Sequence, residues 1–374
     1  MIDVTYPLRF LIVHLAIGKE DIADVKKELA ETFSLIHALK NVEIVDMVLQ
    51  RDYQPHQATY IGSGKAKEIE EQITNEHIDV VVINSIVKQR QIYALKKIFW
   101  KANPKIEVWD RIDLILHIFS AHAHTAEAKL QIELAKMRHM GPQIYGMGNI
   151  LSQQGGGIGT SGIGETNVEL MKRHWRDQIQ KVKQQLEKLS EGRTQQLLRR
   201  KRLGIPTVSI VGYTNAGKST LFNKLTGKTT LVENALFATL DSHVGKIFLP
   251  QIQKEIMITD TIGFIRNLPA TLIEAFHSTL LESIHADLLL HVIDVSDEEM
   301  MKKISVVRDV LKELGSGGKK QIFVFNKIDK AQNIDKEILK KRFESFHPVF
   351  ISAHKDKNVK SIEYALASCL SFKK

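Results

Sequence analysis

A β-branched apolar run that breaks into a glycine loop and a lysine constrains this chain more than any other stretch. Residues 207–220 read Thr-Val-Ser-Ile-Val-Gly-Tyr-Thr-Asn-Ala-Gly-Lys-Ser-Thr. Val208, Ile210 and Val211 have the character of a strand buried on both faces, as in a parallel sheet. The run stops at Gly212, and Leu221, Phe222 and Leu225 follow at helical spacing. Between strand and helix stands Gly212-x-x-x-x-Gly217-Lys218-Ser219, the pattern of a phosphate-binding loop. Glycines let backbone N–H groups curl round phosphate oxygens, and the helix N-terminus adds the positive end of its dipole. Tyr213, Thr214, Asn215 and Ala216 line the loop, and Thr220 follows into the helix. Lys218 is expected to reach the β- and γ-phosphates, and the Ser219 hydroxyl to ligate Mg2+. The stretch predicts a nucleoside-triphosphate site.

The rest of a guanine-nucleotide site follows in order. Asp260-Thr261-Ile262-Gly263 comes after the apolar run 255–259. An aspartate there can hold Mg2+ through water, and the Gly263 N–H can sense the γ-phosphate. Asn326-Lys327-Ile328-Asp329 follows another apolar run. The Asp329 carboxylate accepts from the ring N–H and exocyclic amine of guanine, which adenine does not offer, while Lys327 can lie over the base. Ser352-Ala353 places a backbone N–H for the guanine O6. Between the loop and Asp260, Thr239 in Phe237-Ala238-Thr239 is the best candidate to close on Mg2+, with Thr229 and Thr230 as competitors. The catalytic set is therefore Asn215, Lys218, Thr239 and Gly263, with Ser219, Thr239 and Asp260 as metal ligands. Phe264 stands where Ras-type enzymes carry a glutamine that orients the attacking water. Phenylalanine cannot do this, so hydrolysis by the chain alone should be slow. A partner is one source of help; a K+ ion held by Asn215 is another, unless Asn215 only shapes the loop.

A chain of 374 residues exceeds one ordinary core, so two or three domains are expected. The apolar runs near 8–17, 42–49, 78–83 and 105–109 alternate with helical patterns, which predicts a small parallel α/β domain over 1–110. Tyr60-Ile-Gly-Ser-Gly-Lys65 reads as a turn into a helix, because its spacing is too short for a phosphate loop. From 111 to 203 the pattern is of long helices around a glycine-rich loop at about 152–165. In the first, Leu130, Leu134 and Met137 fall on one stripe. In the second, Leu170, Ile179, Val182, Leu186 and Leu189 have coiled-coil-like spacing. That helix also carries many more Lys and Arg than acidic residues, either a solvated face or one that meets RNA. Residues 204–374 form the nucleotide domain, a doubly wound Ras-like fold.

The net charge of +9 and a pI near 9.3 point to a polyanionic partner. The one cysteine, Cys369, rules out an internal disulfide and suits a reducing cytosol. Asp3 and Arg9 interrupt the N-terminal apolar run, and no stretch reaches the length of a membrane span, so a cytoplasmic protein is expected. His117, His122, His124 and His139 match no zinc spacing and read as solvated or core histidines. In the loop, Gly156, Gly157, Gly159, Thr160, Ser161, Gly162 and Gly164 cannot pack a core. A loop tip that approaches a partner's backbone or bases is the preferred reading over a linker.

Beyond the nucleotide motifs, Asp110-Arg111, Thr125-x-Glu127-x-Lys-Leu-Gln-Ile-Glu-Leu-Ala135, Gly156-Gly-Ile-Gly-Thr160 and Gly164-Glu-Thr166 together resemble the bacterial HflX family of GTPases. The resemblance runs over nearly the whole chain. It implies GTP and GDP as ligands, Mg2+ as cofactor, and the large (50S) ribosomal subunit with its 23S rRNA as partner. It implies that the glycine loop reaches toward the peptidyl-transferase centre, with ribosome-stimulated hydrolysis and the splitting of stalled or idle ribosomes under stress. A role in large-subunit assembly, or a nucleotide-regulated RNA-remodelling module, are the alternatives. Ser161 and Ile163 stand where the family pattern has arginine and proline, Asn167-Val168 where it has Gln-Leu, and His122 where it has arginine. A large target present in one copy makes a monomer the expected state.

Overall fold

The computed structural model describes residues 6–154, 163–228, 243–266, 269, 272–273, 276–331 and 334–371. Four parallel strands, β1 (Leu8–Ile17), β2 (Val42–Asp52), β3 (Val80–Ile83) and β4 (Glu107–Trp109), form the first sheet in the order β2-β1-β3-β4. Its helices α1 (Ile22–Ile36), α2 (Ser63–Glu76), α3 (Gln89–Phe99) and α4 (Arg111–His122) lie between and after the strands. β1 and β3 are central and almost wholly apolar, and Leu11, Val13, Val81 and Ile83 pack with Ile69, Ile73, Leu95 and Phe99 of α2 and α3. Phe99 is fully buried, so truncation to alanine there costs about 3–5 kcal/mol. β2 is an edge strand, and its polar residues on the exposed positions extend it to Asp52, three residues past the apolar run. Tyr60 adopts a φ of 65° and the chain then enters α2 at Ser63, as the turn-into-helix reading expects.

Two long helices follow, α5 (Ala126–Gln154) and α6 (Ile163–Arg202). At about 1.5 Å per residue, the 40 residues of α6 span roughly 60 Å. Leu134 is buried on α5, and Trp175 Nε1 donates to Met137 O at 3.3 Å. The coiled-coil-like series on α6 is only locally covered: Val182 is buried, whereas Leu170 and Leu189 are exposed. A seam needs a facing helix along its whole length, and α6 is 11 residues longer than the 29 of α5.

The second sheet has six strands: β5 (Thr207–Gly212), β6 (His243–Leu249), β7 (Lys254–Asp260), β8 (Leu288–Asp294), β9 (Gln321–Asn326) and β10 (Val349–Phe350). Their order is β10-β9-β8-β5-β7-β6, all parallel except the β6–β7 hairpin. On one face α7 (Lys218–Thr226) and the last helix contribute Leu221, Phe222, Ile362 and Leu366 to the core. The helices after β7, β8 and β9 are α8 (His277–His285), α9 (Met300–Glu313) and α10 (Lys336–Arg342), and α11 (Lys360–Leu370) closes the fold. Ile304 of α9 packs with Phe323, Phe325, Phe343 and Phe350 on the other face. The order places β5 between strands reached by opposite directions of winding, which opens a crevice at the carboxyl ends.

The chain divides into two compact units, residues 1–121 with 130–185, and residues 122–129 with 186–374. Residues of the expected middle segment, 111–203, fall into both. Among the described residues no helix is long and apolar enough to cross a membrane.

Candidate nucleotide site

The loop after β5 sits at that crevice. Asn215 stands exposed at the tip with a φ of 61°. Gly217 has a φ of 95°, and a Cβ there would lie 2.3 Å from Asn326 Nδ2, so both conformation and space demand glycine. α7 begins at Lys218, with its free N–H end turned toward the loop. Ser219 and Thr220 are half-buried in its first turn. Lys218 is buried, and its ammonium donates to the Tyr213 carbonyl at 2.8 Å. Burial pushes its pKa down to about 8; the Asp260 charge opposes this and Lys327 adds to it. A buried cation whose hydrogen bond goes to a neutral carbonyl is a strong attractor for phosphate.

The segment after β7 is fastened to the loop by its backbone. Asp260 is fully buried at the strand end, and Thr261 Oγ1 donates to Ile210 O at 2.7 Å. Phe264 N donates to Gly212 O at 3.1 Å, and Thr214 N donates to Phe264 O at 2.8 Å. Gly263 is wedged between these bonds: a Cβ would approach Lys218 Nζ to 2.7 Å and Thr214 Cα to 2.9 Å. Ile262 is buried, and Phe264, at 1% exposure, is a core side chain. Arg266 N donates to the Tyr213 hydroxyl at 2.8 Å, and the Arg266 guanidinium meets Glu299 at 3.0 Å. Sequence reasoning did not single out the Tyr213 hydroxyl or Glu299, and no local pattern marks a bond that spans 53 residues.

At the base end, Asn326 bridges two loops. Its Nδ2 donates to Ala216 O at 2.9 Å, and its Oδ1 accepts from Ala353 N at 3.0 Å. The Ala353 N–H is therefore directed at Asn326. Lys327, with a φ of 63°, pairs with Asp294 at 2.7 Å. Asp294 ends β8 as Asp260 ends β7, a strand-terminal aspartate that the sequence displays and that reasoning from motifs passed over. Asp329 is held below the usual carboxylate range by a hydrogen bond from the buried Ser352 hydroxyl.

One crevice thus assembles Gly212, Tyr213, Thr214, Asn215, Ala216, Gly217, Lys218, Ser219, Asp260, Thr261, Gly263 and Asn326. Phe237, Ala238 and Thr239 lie outside the described residues, as do Gly156, Gly157, Gly159, Thr160, Ser161 and Gly162. Gly164 is in the first turn of α6. Among the four histidines, His117 stacks on Trp109 with ring centres 3.9 Å apart, as a packed side chain does. His139 instead meets two carboxylates, Asp110 at 3.2 Å and Asp113 at 3.4 Å.

The donor set suits magnesium. Ser219 offers a hydroxyl at the helix start and Asp260 a fully buried carboxylate, and with phosphate oxygens these are the hard ligands Mg2+ prefers. When bound, the ion neutralises charge on the phosphates.

Comparison with known proteins agrees with this geometry over most of the chain. Three family models match in series: "GTP-binding GTPase N-terminal" over residues 26–120, "GTP-binding GTPase Middle Region" over 122–202, and "50S ribosome-binding GTPase" over 207–327. The GTPase HflX of Caldanaerobacter subterraneus subsp. tengcongensis is 44% identical over 310 residues, 83% of this chain and 69% of that protein. The GTPase HflX of Escherichia coli K12 is 36% identical over 345 residues, 92% of this chain and 79% of that protein. The crystal structure of SsGBP in complex with GDP aligns with a TM-score of 0.53 and 27% identity, covering 98% of this chain and all of that one. A GTP-binding protein from the archaeon Sulfolobus solfataricus, also with GDP, aligns with a TM-score of 0.51 and 26% identity over 97% of this chain.

Proposed function

This chain belongs to the HflX family of GTPases, and from that premise we propose that it spends GTP on the large ribosomal subunit, binding it and splitting stalled or idle ribosomes. The observation that carries the reading is Phe264. The residue after Gly263 is buried to 1% exposure and fixed by two backbone bonds to the phosphate loop, so its side chain has no access to an attacking water. The catalytic arrangement is then completed by a partner. Polyanion binding is supported by the net charge of +9 and by α6, where Arg173, Arg176, Lys181, Lys188, Arg199 and Lys201 are all exposed.

The chain's own residues have separable roles. Loop N–H groups and the α7 N-terminus hold the phosphates, and Lys218 offsets their charge as it develops toward the leaving oxygen. Ser219, Asp260 and Thr239 would hold Mg2+. Gly263 leaves the space in which the γ-phosphate is sensed, and Asp329 selects guanine. Asn215, exposed at the loop tip, is the group that would face a K+ ion. The glycine-rich loop at about 152–165 is the part that would enter the ribosome, and the cytoplasm is the compartment where it would do so. The chain would act as a monomer.

The test is GTP turnover by the full chain alone and with purified large subunits, in K+ and in Na+ buffer. A rise of tenfold or more with subunits is expected, followed by loss of 70S particles on a sucrose gradient when intact ribosomes are supplied. No rise in either salt counts against the ribosome as activator. Tighter binding to precursor than to mature subunits would instead favour a role in assembly.

A further inference from the structure

His139 is neither a solvated nor a packed core histidine. From α5 its Nε2 faces side chains of two other elements: Asp110 Oδ1 at 3.2 Å, Asp113 Oδ1 at 3.4 Å and the Gln89 amide at 2.8 Å. The group is sheltered. Asp110 is fully buried, Gln89 is 8% exposed, and the side chains of His139 and Asp113 are 10% and 23% exposed. An imidazolium has one hydrogen on Nε2, and one hydrogen serves one acceptor well. Three polar groups converging on that nitrogen exceed what a single proton can organise.

The two carboxylate spacings are those of a coordination shell, and the Gln89 amide, 2.8 Å from Nε2, would move outward by about half an ångström to join it. In a tetrahedral site with bonds of about 2.0–2.1 Å, neighbouring ligand atoms lie roughly 3.3–3.4 Å apart. The two nitrogen–carboxylate separations, 3.2 and 3.4 Å, match that edge, and the Asp110, Asp113 and His139 ligand atoms all fall within 4.8 Å of one another. Turning the Gln89 amide so that Oε1 faces inward supplies a fourth donor, an assignment that the amide's symmetry leaves open. The carboxylates are oriented beforehand. Asp113 N donates to Asp110 Oδ1 at 2.9 Å, Asp110 N donates to Asp113 Oδ2 at 3.2 Å, and Val87 N donates to Asp110 Oδ2 at 3.3 Å. Such outer bonds fix ligand direction in metal sites.

We propose that Gln89, Asp110, Asp113 and His139 form a divalent-cation site, for which Zn2+ is the best match, joining α5 to α3 and the start of α4. Two carboxylates balance the charge of the ion, and the mixed nitrogen and oxygen set favours Zn2+ over Mg2+, which seeks oxygen alone. The site lies apart from the nucleotide crevice in sequence and uses none of its residues. Loading the ion expels the proton that His139 carries. The two carboxylates hold that proton firmly, raising the His139 pKa to about 10 against the lowering effect of burial.

The test uses the full chain, stripped with EDTA and then kept in excess Mg2+ and GDP so that the nucleotide site is occupied. Co2+ is added as a spectroscopic probe, followed by Zn2+. One equivalent of Co2+ should give the intense visible bands of a tetrahedral complex, and one equivalent of Zn2+ should bleach them. His139→Gln and Asp113→Asn should each weaken Zn2+ binding at least tenfold. His117→Ala, outside the cluster, should leave it unchanged. The proposal is overturned if the wild-type chain binds no stoichiometric Zn2+, or if His139→Gln binds it as tightly. Should the variants fail to fold, the wild-type Co2+ spectrum decides alone, because a weak octahedral spectrum or none overturns the site as well.

Discussion

Asn326→Ala is expected to loosen the nucleotide domain before it touches base selection. The side chain is 2% exposed and makes both of its bonds to buried backbone groups, Ala216 O at 2.9 Å and Ala353 N at 3.0 Å. Removing it leaves a carbonyl and an N–H unsatisfied in the interior. Each such group costs about 1–3 kcal/mol, so the pair costs about 2–6 kcal/mol. For a domain of this size that is a fall of roughly 5–20 °C in Tm. The assay is calorimetry of the transition that GDP stabilises, run beside Asp329→Ala. Asp329 is only half-buried and bonds to Ser352, so its loss should shift the transition by less than about 1 kcal/mol while erasing discrimination of GTP from ATP. Asn326→Ala should show the reverse, lowered stability with guanine still preferred over adenine. A transition within about 1 °C of wild type for Asn326→Ala would refute the bridging role.

Three further outcomes follow from the same geometry. Phe264→Gln should not create a Ras-like enzyme: the position is 1% exposed, so an amide placed there is buried, costing about 2–4 kcal/mol in a urea melt while turnover without a partner stays flat. Faster turnover at undiminished stability would contradict this. Gly217→Ala should lower GDP affinity tenfold or more by calorimetric titration, since the residue sits at φ 95° and its new Cβ would strike Asn326 Nδ2 at 2.3 Å; unchanged affinity would mean the loop is softer than it looks. Lys218, at about 8 against an ordinary 10.5, opposes folding below pH 8, and that penalty fades as pH rises toward 10.5. Phosphates reverse the effect by favouring the ammonium, so GDP binding takes up a proton above pH 8 and affinity should fall as pH rises through that value. A flat fluorescence-titration profile from pH 7 to 9.5 would argue against it.

The legible parts of the fold were those where one local pattern has one outcome. β1, β5, β8 and β9 are buried on both faces, so each appears as an apolar run, and the loop after β5 needs its glycines for backbone conformation and close packing together. β6 was missed. Its residues alternate buried Gly245, Ile247 and Leu249 with exposed Lys246 and Phe248, a weak period of two led by a glycine. Within the site, residue types were readable but partners were not. Asn326 was expected among the groups around the base, and its two bonds instead reach 110 residues back and 27 forward. His139 and Asp113 lie on different helices, and no spacing rule joins them.

The antiparallel return from β6 to β7 also offers a handle. The residues of the candidate nucleotide site gather at the carboxyl ends of β5, β7 and β9, whereas the turn at 250–253 precedes β7 and so lies at the opposite rim of the sheet. Pro250, Gln251 and Gln253 there are exposed, and the turn is closed by Gln253 Nε2 donating to Pro250 O at 2.9 Å. A residue added inside a strand reverses every side chain beyond it, but one added at this turn does not. A fluorophore or affinity tag inserted between Pro250 and Gln251 would therefore report on the domain from the rim away from the nucleotide site.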